Sequence, residues 1–298
     1  MNGTIPYFGQ ILALLCAVIW AFAVILFKKS GETVHPIALN LFKNVLAMIL
    51  FLPTMLIFKE SLVRQVPYSD YLLLIISGMV GIAIADTLFF KSLNLIGAGL
   101  SAIVECMYSP FIIGLSVLWL GESLTLLQVV GVLLVISAVL STVHVKQRGK
   151  ISRRDLLWGI FLGVLATAAI AVSIVMIKPL LERSPLLWVA EVRLFGGLAG
   201  LVLITLFHPL RHRVLSSLFN PKGWGYTISG SFLGAYLAMF IWLAGMKFTK
   251  VSIASALNQT STIFIFVFAA IFLRESITLR KVVAIILAVA GVLLVFLK

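Results

Sequence analysis

Stretches of about twenty apolar residues, separated by short charged clusters, are the feature that most limits what this chain can fold into. A helix of that length crosses roughly 30 Å of hydrocarbon. Apolar residues make up 62% of the 298 residues and charged residues only 11%, which is a membrane composition and not that of a soluble domain. We therefore predict an all-α integral membrane protein.

We expect ten transmembrane helices. The predicted spans cover residues 8–27, 36–57, 70–92, 99–120, 126–144, 155–178, 186–207, 224–246, 252–273 and 279–297. The first of these is long enough to cross the membrane and is followed by further spans. We interpret it as a retained helix, not as a cleaved signal peptide.

The two halves of the chain repeat each other. Residues 120–140 (LGESLTLLQVVGVLLVISAVL) align without gaps on residues 273–293 (LRESITLRKVVAIILAVAGVL), with about ten identities in 21 positions. The identities include Glu, Ser and Thr, which apolar composition alone does not produce. The hexamers LGESLT and LRESIT are read as turns between the last two spans of each half, with structural roles for Glu122 and Glu275. Thr125 and Gln128 form a capping box pattern that the second copy keeps only in part, since Lys281 replaces the glutamine.

This duplication predicts two five-helix repeats, residues 1–145 and 155–298, joined by a basic linker loop at 146–154. Because five is odd, the second repeat enters the membrane from the opposite side, so the repeats are inverted. Secondary transporters commonly have this architecture, with the substrate site between the repeats near the middle of the membrane.

Both halves contain segments that resemble a known family. They are FFKSLNLIGAGLSAIVECMYSP with LWLGESLTLLQVVGVLLVISAVL, and IWLAGMKFTKVSIASALNQ with IFLRESITLRKVVAIILAVAGVLL. These segments resemble the EamA domains of the drug/metabolite transporter (DMT) superfamily over nearly the whole chain. The resemblance implies a cavity lined by spans 1, 3, 4, 6, 8 and 9, with spans 5 and 10 at the periphery. The chain departs from the family at one position, because Pro110 of the fourth span aligns with Ile263, and we expect a kink in the first half only.

Ionisable side chains within a bilayer cost roughly 2.5–3.5 kcal/mol each, so those that remain are candidates for function. Glu105 of the fourth span aligns with Asn258, which Gln259 follows, and this carboxylate with its facing amides suits a substrate ammonium or a coupling proton. Asp86 of the third span is a further cavity candidate, with an interfacial pair as the alternative. Tyr108 lies one turn beyond Glu105, where it either contacts a ligand or packs.

Two cations repeat at an offset of 150 residues, Lys43 in the second span and Arg193 in the seventh. This matched placement favours a common structural or anion-facing role, with direct substrate contact as an alternative. Glu191 is two residues from Arg193 and faces a different side of the helix, which favours a structural role. Trp20 and Trp242 suit an aromatic wall for an amphipathic or cationic ligand, although packing is the alternative for both.

Several classes of function are disfavoured. Cys16 and Cys106 lie in apolar runs and offer neither a disulfide framework nor a metal cluster. The histidines fall in or beside loops, and the motifs HExxH, GxSxG and the P-loop are absent from the sequence, so we expect no enzyme, no metal and no cofactor. The net charge of +13 is scattered over loops, which favours lipid headgroups over nucleic acid as partners.

The orientation in the membrane is left open. Fourteen lysines and arginines fall at the loops of one side against seven at the other, which predicts both termini outside, whereas the family resemblance implies cytoplasmic termini. We expect a multi-pass protein of the cytoplasmic or inner cell membrane.

The sequence leads us to expect a secondary transporter of a small organic metabolite, such as an amino acid or a similar amphipathic compound, by alternating access. Family habit implies export, with a proton or a counter-substrate as a coupling partner; oligomeric state stays open. The alternatives are a flippase for a lipid or lipid-linked sugar, which needs a lateral opening, and an intramembrane enzyme, which needs a nucleophile and a base at facing depths.

Overall fold

The computed structural model of the chain describes residues 7–120, 125–142, 151–219, 223–248 and 257–296, and within these ranges it is helical without strands. The first half contains α1 (Phe8–Ser30), α2 (Pro36–Ile57), α3 (Tyr68–Ile96), α4 (Ala98–Glu105), α5 (Tyr108–Leu120) and α6 (Leu126–Thr142). The second half contains α7 (Arg153–Val175), α8 (Lys178–Arg183), α9 (Leu186–Leu206), α10 (Arg211–Ser216), α11 (the consecutive segments Trp224–Ser231, Phe232–Ala238 and Met239–Phe248), α12 (Ser261–Phe272) and α13 (Leu279–Phe296).

Length and apolar composition identify this as a multi-pass membrane protein. Six helical segments of the described chain are long and apolar enough to cross a membrane: Phe8–Ser30, Pro36–Ile57, Tyr68–Ile96, Ala98–Trp119, Arg153–Val175 and Leu186–Leu206. Two further apolar helices are shorter, Leu126–Ser141 and Ser261–Phe272. Residues 121–124 of the first hexamer, with Glu122, and most of the basic linker loop fall outside the described residues.

Helix starts follow local capping. Helix α2 begins where His35 accepts a hydrogen bond from the Ile37 N–H, with Pro36 at the first helical position. The capping box predicted at α6 is present, since the Thr125 N–H donates to Gln128 Oε1 and the Gln128 N–H donates to Thr125 Oγ1.

Two long helices contain a π-helical segment of seven residues each. The segments are Met79–Ala85 in α3 and Phe232–Ala238 in α11, and their bounds differ by the 153 residues that separate the two hexamers. A π segment leaves the regular hydrogen-bond register of the helix, and such segments are frequent at functional sites. In the first copy the Ile82 carbonyl accepts a hydrogen bond of 2.7 Å from Asn40 Nδ2.

The helix breaks near the middle of the fourth and ninth predicted spans, so the expectation of a kink in the first half only is wrong. A turn at Cys106 and Met107 separates α4 from α5, and a turn at Gln259 and Thr260 precedes α12, again 153 residues later. The second break needs no proline, because hydroxyl groups bond the backbone there. Thr260 Oγ1 donates to the Leu257 carbonyl over 2.5 Å, a bond that competes with regular helix.

The helices of one half pack mainly against those of the other. Helix α1 contacts α11 and α12, while α7 contacts α3, α4 and α5. In the same way α2 contacts α11, and α9 contacts α3. Helices α6 and α13 form an extensive pair of their own. Three clusters of buried apolar side chains fill the contacts between these helices, and Phe27, Trp188 and Leu100 are fully buried members, one in each cluster.

Glu275 of the second hexamer binds the start of α4. Its Oε1 accepts a hydrogen bond of 2.8 Å from the Ala98 N–H, and its Oε2 accepts one of 3.1 Å from the Gly99 N–H. Gly97, with φ of 82°, ends α3 in a conformation that favours glycine, and any Cβ there would lie 2.6 Å from Glu275 Oε1. The carboxylate thus satisfies two free amides of a helix N-terminus and ties the loop before α13 to the first half.

We predict that Glu275→Gln lowers the free energy of unfolding by about 1–2 kcal/mol, because the amide retains one acceptor oxygen and loses the charge at the helix start. The measurement is the thermal unfolding midpoint of the purified protein in detergent. Arg274→Gln, at an exposed neighbouring side chain, is the matched control and should leave the midpoint unchanged. Equal midpoints for Glu275→Gln and the unchanged protein would contradict the capping role.

Candidate functional site

The middle of the bundle holds an ion pair between α2 and α3. Lys43 Nζ lies 2.6 Å from Asp86 Oδ2, and the lysine side chain is 8% exposed while that of the aspartate is 21% exposed. The same ammonium lies 5.7 Å from the centroid of the Phe90 ring. Asp86 directly follows the π segment of α3, so the altered helix register sets the direction of the carboxylate.

An asparagine network supports this pair from α2. Asn40 Nδ2 donates to the Ile82 carbonyl and, over 3.0 Å, to Thr87 Oγ1. Asn44 Nδ2 donates to both the carbonyl and the side-chain oxygen of Asn40, each over 2.8 Å. Both asparagines are buried. They lie within one turn of Lys43 in an apolar span, and this spacing was a signal that the sequence-based site did not use.

Asp86 also connects the ion pair to the other predicted residues. It lies within electrostatic range of Glu105 and of Arg193. Arg193 in turn lies within electrostatic range of Tyr108 and donates a hydrogen bond of 3.2 Å from Nη2 to Ser173 Oγ of α7. The structure therefore brings Lys43, Asp86, Glu105, Arg193 and Tyr108 into one charged cluster that draws on both halves of the chain.

The two amides predicted opposite Glu105 differ in their hydrogen-bond partners. Gln259 Nε2 donates to Ser109 Oγ over 3.2 Å, which joins the two helix breaks across the halves. Asn258 lies one residue earlier, and its Oδ1 is buried with no hydrogen-bond partner within the described residues. Glu105 forms no hydrogen bond with either amide in that part of the chain.

A cavity of about 170 Å³ lies beside the cluster. Its lining residues are Cys16, Trp20, Gly234, Ala238, Met239, Trp242 and Asn258. Both predicted tryptophans therefore face it, and Trp20 also stacks on Phe89 with ring centroids 6.5 Å apart. The π segment of α11 supplies Gly234 and Ala238, so each π segment adjoins either the cluster or the cavity.

A second cavity of about 40 Å³ adjoins the first, because Met239 and Trp242 line both. Arg193 also lines it, among apolar side chains such as Ile82 and Val189. The sequence-based site missed Met239, Cys16 and Ser173, because a neutral side chain in an apolar span carries no signal of a cavity. Within the described residues no group of His, Cys, Asp and Glu side chains is arranged to hold a metal ion.

We predict a non-additive response to removal of the ion pair. Lys43→Met or Asp86→Leu alone should lower the free energy of unfolding by about 3 kcal/mol, since each leaves a charge without its partner in a poorly solvated place. The double variant should lose less than either single variant, as measured by thermal unfolding in detergent. Lys91→Met, also on α3 but outside the pair, is the control. Additive losses in the double variant would contradict direct coupling between the two side chains.

Comparison with known proteins identifies the kind of protein. Residues 7–143 and residues 157–297 each match the EamA-like transporter family. A protein of Archaeoglobus fulgidus described as an uncharacterized transporter is 28% identical over 292 residues, which cover 96% of this chain and 97% of that protein. A chain of known crystal structure has a TM-score of 0.67 at 18% sequence identity, over 96% of this chain and 95% of that chain, which is a likeness of fold.

The two family matches together cover nearly all of the chain, and the relative of similar length is itself described as a transporter. The resemblance expected from the repeated segments is thereby confirmed. The chain is a multi-pass membrane transporter that belongs to the EamA-like transporter family of the DMT superfamily.

Proposed function

We propose that this chain is a secondary transporter that moves a small organic metabolite, such as an amino acid or a similar amphipathic compound, by alternating access. Its ten helices form two inverted five-helix repeats, residues 1–145 and 155–298, around a shared site. Export across the cytoplasmic or inner membrane is the proposed direction, with a proton or a counter-substrate as coupling partner. The observation that carries the proposal is the cavity of about 170 Å³ beside the charged cluster, between the halves.

Matching departures from regular helix support the repeat. The π segments and the helix breaks both recur after 153 residues. The packing pattern recurs as well. Helix α1 of the first half contacts α11 and α12 of the second half, and its counterpart α7 in the second half contacts α3, α4 and α5 of the first half. The two halves thus contact each other through equivalent surfaces. This arrangement suits a mechanism in which the two halves exchange conformations.

The size and lining of the cavity support a small solute. A volume of about 170 Å³ lies below the roughly 300–1,000 Å³ of common ligand pockets, which favours a small solute over a lipid-linked sugar. Two tryptophans and a methionine offer an apolar surface, and Asn258 offers a polar one. This mixture of apolar walls with few polar groups is typical of small-molecule sites, and it suits an amphipathic metabolite.

Glu105 is the proposed coupling or ammonium-binding group. It ends α4 at the break before Tyr108 and forms no hydrogen bond or ion pair within the described residues, so a ligand or a proton is the partner that we propose for its carboxyl group. Asp86 lies within electrostatic range of it and has the Lys43 ammonium as its own partner.

We predict that Glu105→Gln lowers transport at least about tenfold, because a hydrogen bond to a charged group contributes roughly 1.5–3 kcal/mol. A thermal-shift screen against amino acids, amines, nucleosides and sugar phosphates first selects the solute that raises the melting temperature most. Uptake of that labelled solute into proteoliposomes is then compared between the variant and the unchanged protein.

The control for this experiment is Glu191→Gln. Glu191 is a fully buried carboxyl of α9 outside both cavities, and its replacement should leave the rate unchanged. The amount of folded Glu105→Gln protein, measured by size-exclusion chromatography, should equal that of the unchanged protein. Unchanged rates in Glu105→Gln would remove this residue from the site, and a complete absence of solute uptake by the unchanged protein would contradict the transporter proposal.

A further inference from the structure

Two buried polar atoms of opposite hydrogen-bonding sense lack partners beside the cavities. Arg193 Nε is a donor and Asn258 Oδ1 is an acceptor, and neither has a hydrogen-bond partner within the described residues. A buried polar atom left unpaired costs roughly 1–3 kcal/mol, so proteins seldom leave one without a reason. Six such side-chain atoms occur in the described part of the chain, and these two belong to residues that line the two cavities.

The residues that carry these two atoms line adjoining cavities. Arg193 lines the cavity of about 40 Å³ and Asn258 lines that of about 170 Å³. Met239 and Trp242 line both cavities, so they form the wall at which the two spaces meet. A single small molecule that extended past this wall would lie beside the cationic side chain of Arg193 at one end and the neutral side chain of Asn258 at the other.

The two repeated cations differ in their partners. Lys43 has its own carboxylate in Asp86, at a distance of 2.6 Å. The residue 153 positions after Asp86 is Met239, so the second copy of that acid is replaced by an uncharged side chain. Arg193 therefore lacks an ion pair within the described residues, and only its Nη2 donates a hydrogen bond, to the Ser173 hydroxyl.

An arginine in this situation is suited to a carboxylate. Its guanidinium group has five N–H donors in a fixed plane and is always charged. A carboxylate accepts two parallel hydrogen bonds from such a group, and a charge-assisted pair of this kind is stronger in surroundings of low dielectric constant. The apolar lining around Arg193, including Ile82, Ile174 and Val189, provides such surroundings.

The other end of the region is suited to a hydrogen-bond donor. Asn258 Oδ1 needs a donor, and the rings of Trp20 and Trp242 lie around the same cavity. Aromatic faces attract an ammonium group and also accommodate apolar groups. This end therefore accepts an ammonium group with an apolar substituent next to it.

We infer that Arg193 binds the carboxylate of the transported solute while Asn258 Oδ1 accepts a hydrogen bond from its ammonium group, so that the substrate is a small zwitterion of the α-amino acid class. This inference rests on the proposed transport function. It specifies which charged groups the site binds and how the substrate is oriented in it. It assigns the second repeat, through Arg193 and Asn258, the task of recognising both charged groups of the substrate.

Chemically matched ligands test the charge pattern. The purified protein is titrated with the twenty common α-amino acids, and tryptophan fluorescence and thermal shift report binding. For the amino acid that binds most tightly, the methyl ester removes the carboxylate charge and the deaminated acid removes the ammonium group. We expect each change to raise Kd by about tenfold or more. Equal affinity of the ester and the amino acid, or binding of none of the twenty, would overturn the inference.

Two variants assign each charged group to its residue. Arg193→Lys keeps the charge and loses the planar pair of donors, so it should raise Kd for the amino acid about tenfold and leave that for the methyl ester unchanged. Asn258→Leu should raise Kd for the amino acid and leave Kd for the deaminated acid unchanged. Glu191→Gln, a buried change on the same helix as Arg193, should alter none of these values.

The failure of this inference is distinguishable from the failure of the transport function. If Arg193→Lys raises Kd for the amino acid and for the ester equally, the arginine has a structural role and the inference is wrong. Proteoliposomes could also accumulate a solute that lacks a carboxylate, at a rate that Arg193→Lys leaves unchanged. In that case the transporter proposal stands and the inference of a zwitterionic substrate is wrong. If the unchanged protein moves no solute, the transporter proposal itself fails.

Discussion

Hydrocarbon cannot hydrogen-bond to a peptide group, and this constraint determines where polar chemistry occurs in the structure. Every departure from regular helix within the apolar part of the chain must be satisfied by the protein itself. The π segment of α3 is bonded by Asn40 through the Ile82 carbonyl, and the break before α12 is bonded by Thr260. The side chains recruited for this purpose lie next to the ion pair of Lys43 and Asp86 and next to the cavities. The polar side chains that bond irregular helix therefore lie close to the candidate site.

Much of the fold was predictable from the sequence because hydrocarbon thickness and loop chemistry leave local signals. The second predicted span, residues 36–57, coincides with α2, and the capping box of Thr125 and Gln128 is confirmed. The hydrogen-bond register within a helix leaves no comparable signal, since apolar residues suit both α and π segments. For this reason neither π segment was predicted, and the break at Gln259 was missed when a proline was taken as its only cause.

Contacts between distant residues explain what could not be predicted about the site. The offset between the hexamers directed attention to Glu105 and Asn258, but it gave no partners for either residue. That Lys43 pairs with Asp86, 43 residues away, depends on how α2 packs on α3. The role of Glu275 was expected to be structural, yet its binding to the amides of Ala98 and Gly99 joins segments 176 and 177 residues apart. The substrate-contact roles of the site residues stay predictions.

The two halves share a scaffold but differ in their polar residues. The repeats share their cations and their helix breaks, whereas Asp86 and Glu105 of the first copy correspond to Met239 and Asn258 of the second. One copy thus contains a cation with an ion-pair partner, and the other contains a cation without one within the described residues. In the proposed mechanism, the equivalent helices would let the two halves exchange positions, and the unequal side chains would determine what is bound between them.

Accessibility of the cavity from each side of the membrane tests the central claim of alternating access most directly. Cys16 lines the cavity and is 3% exposed, with its thiol donating to the Ala238 carbonyl. In a Cys106→Ala background it is the remaining thiol of the chain. A membrane-impermeant methanethiosulfonate reagent is added to either side of sealed, oriented vesicles. Alternating access predicts labelling of Cys16 from each side, slowed in both cases by bound substrate; labelling from one side only, or from neither, would contradict it.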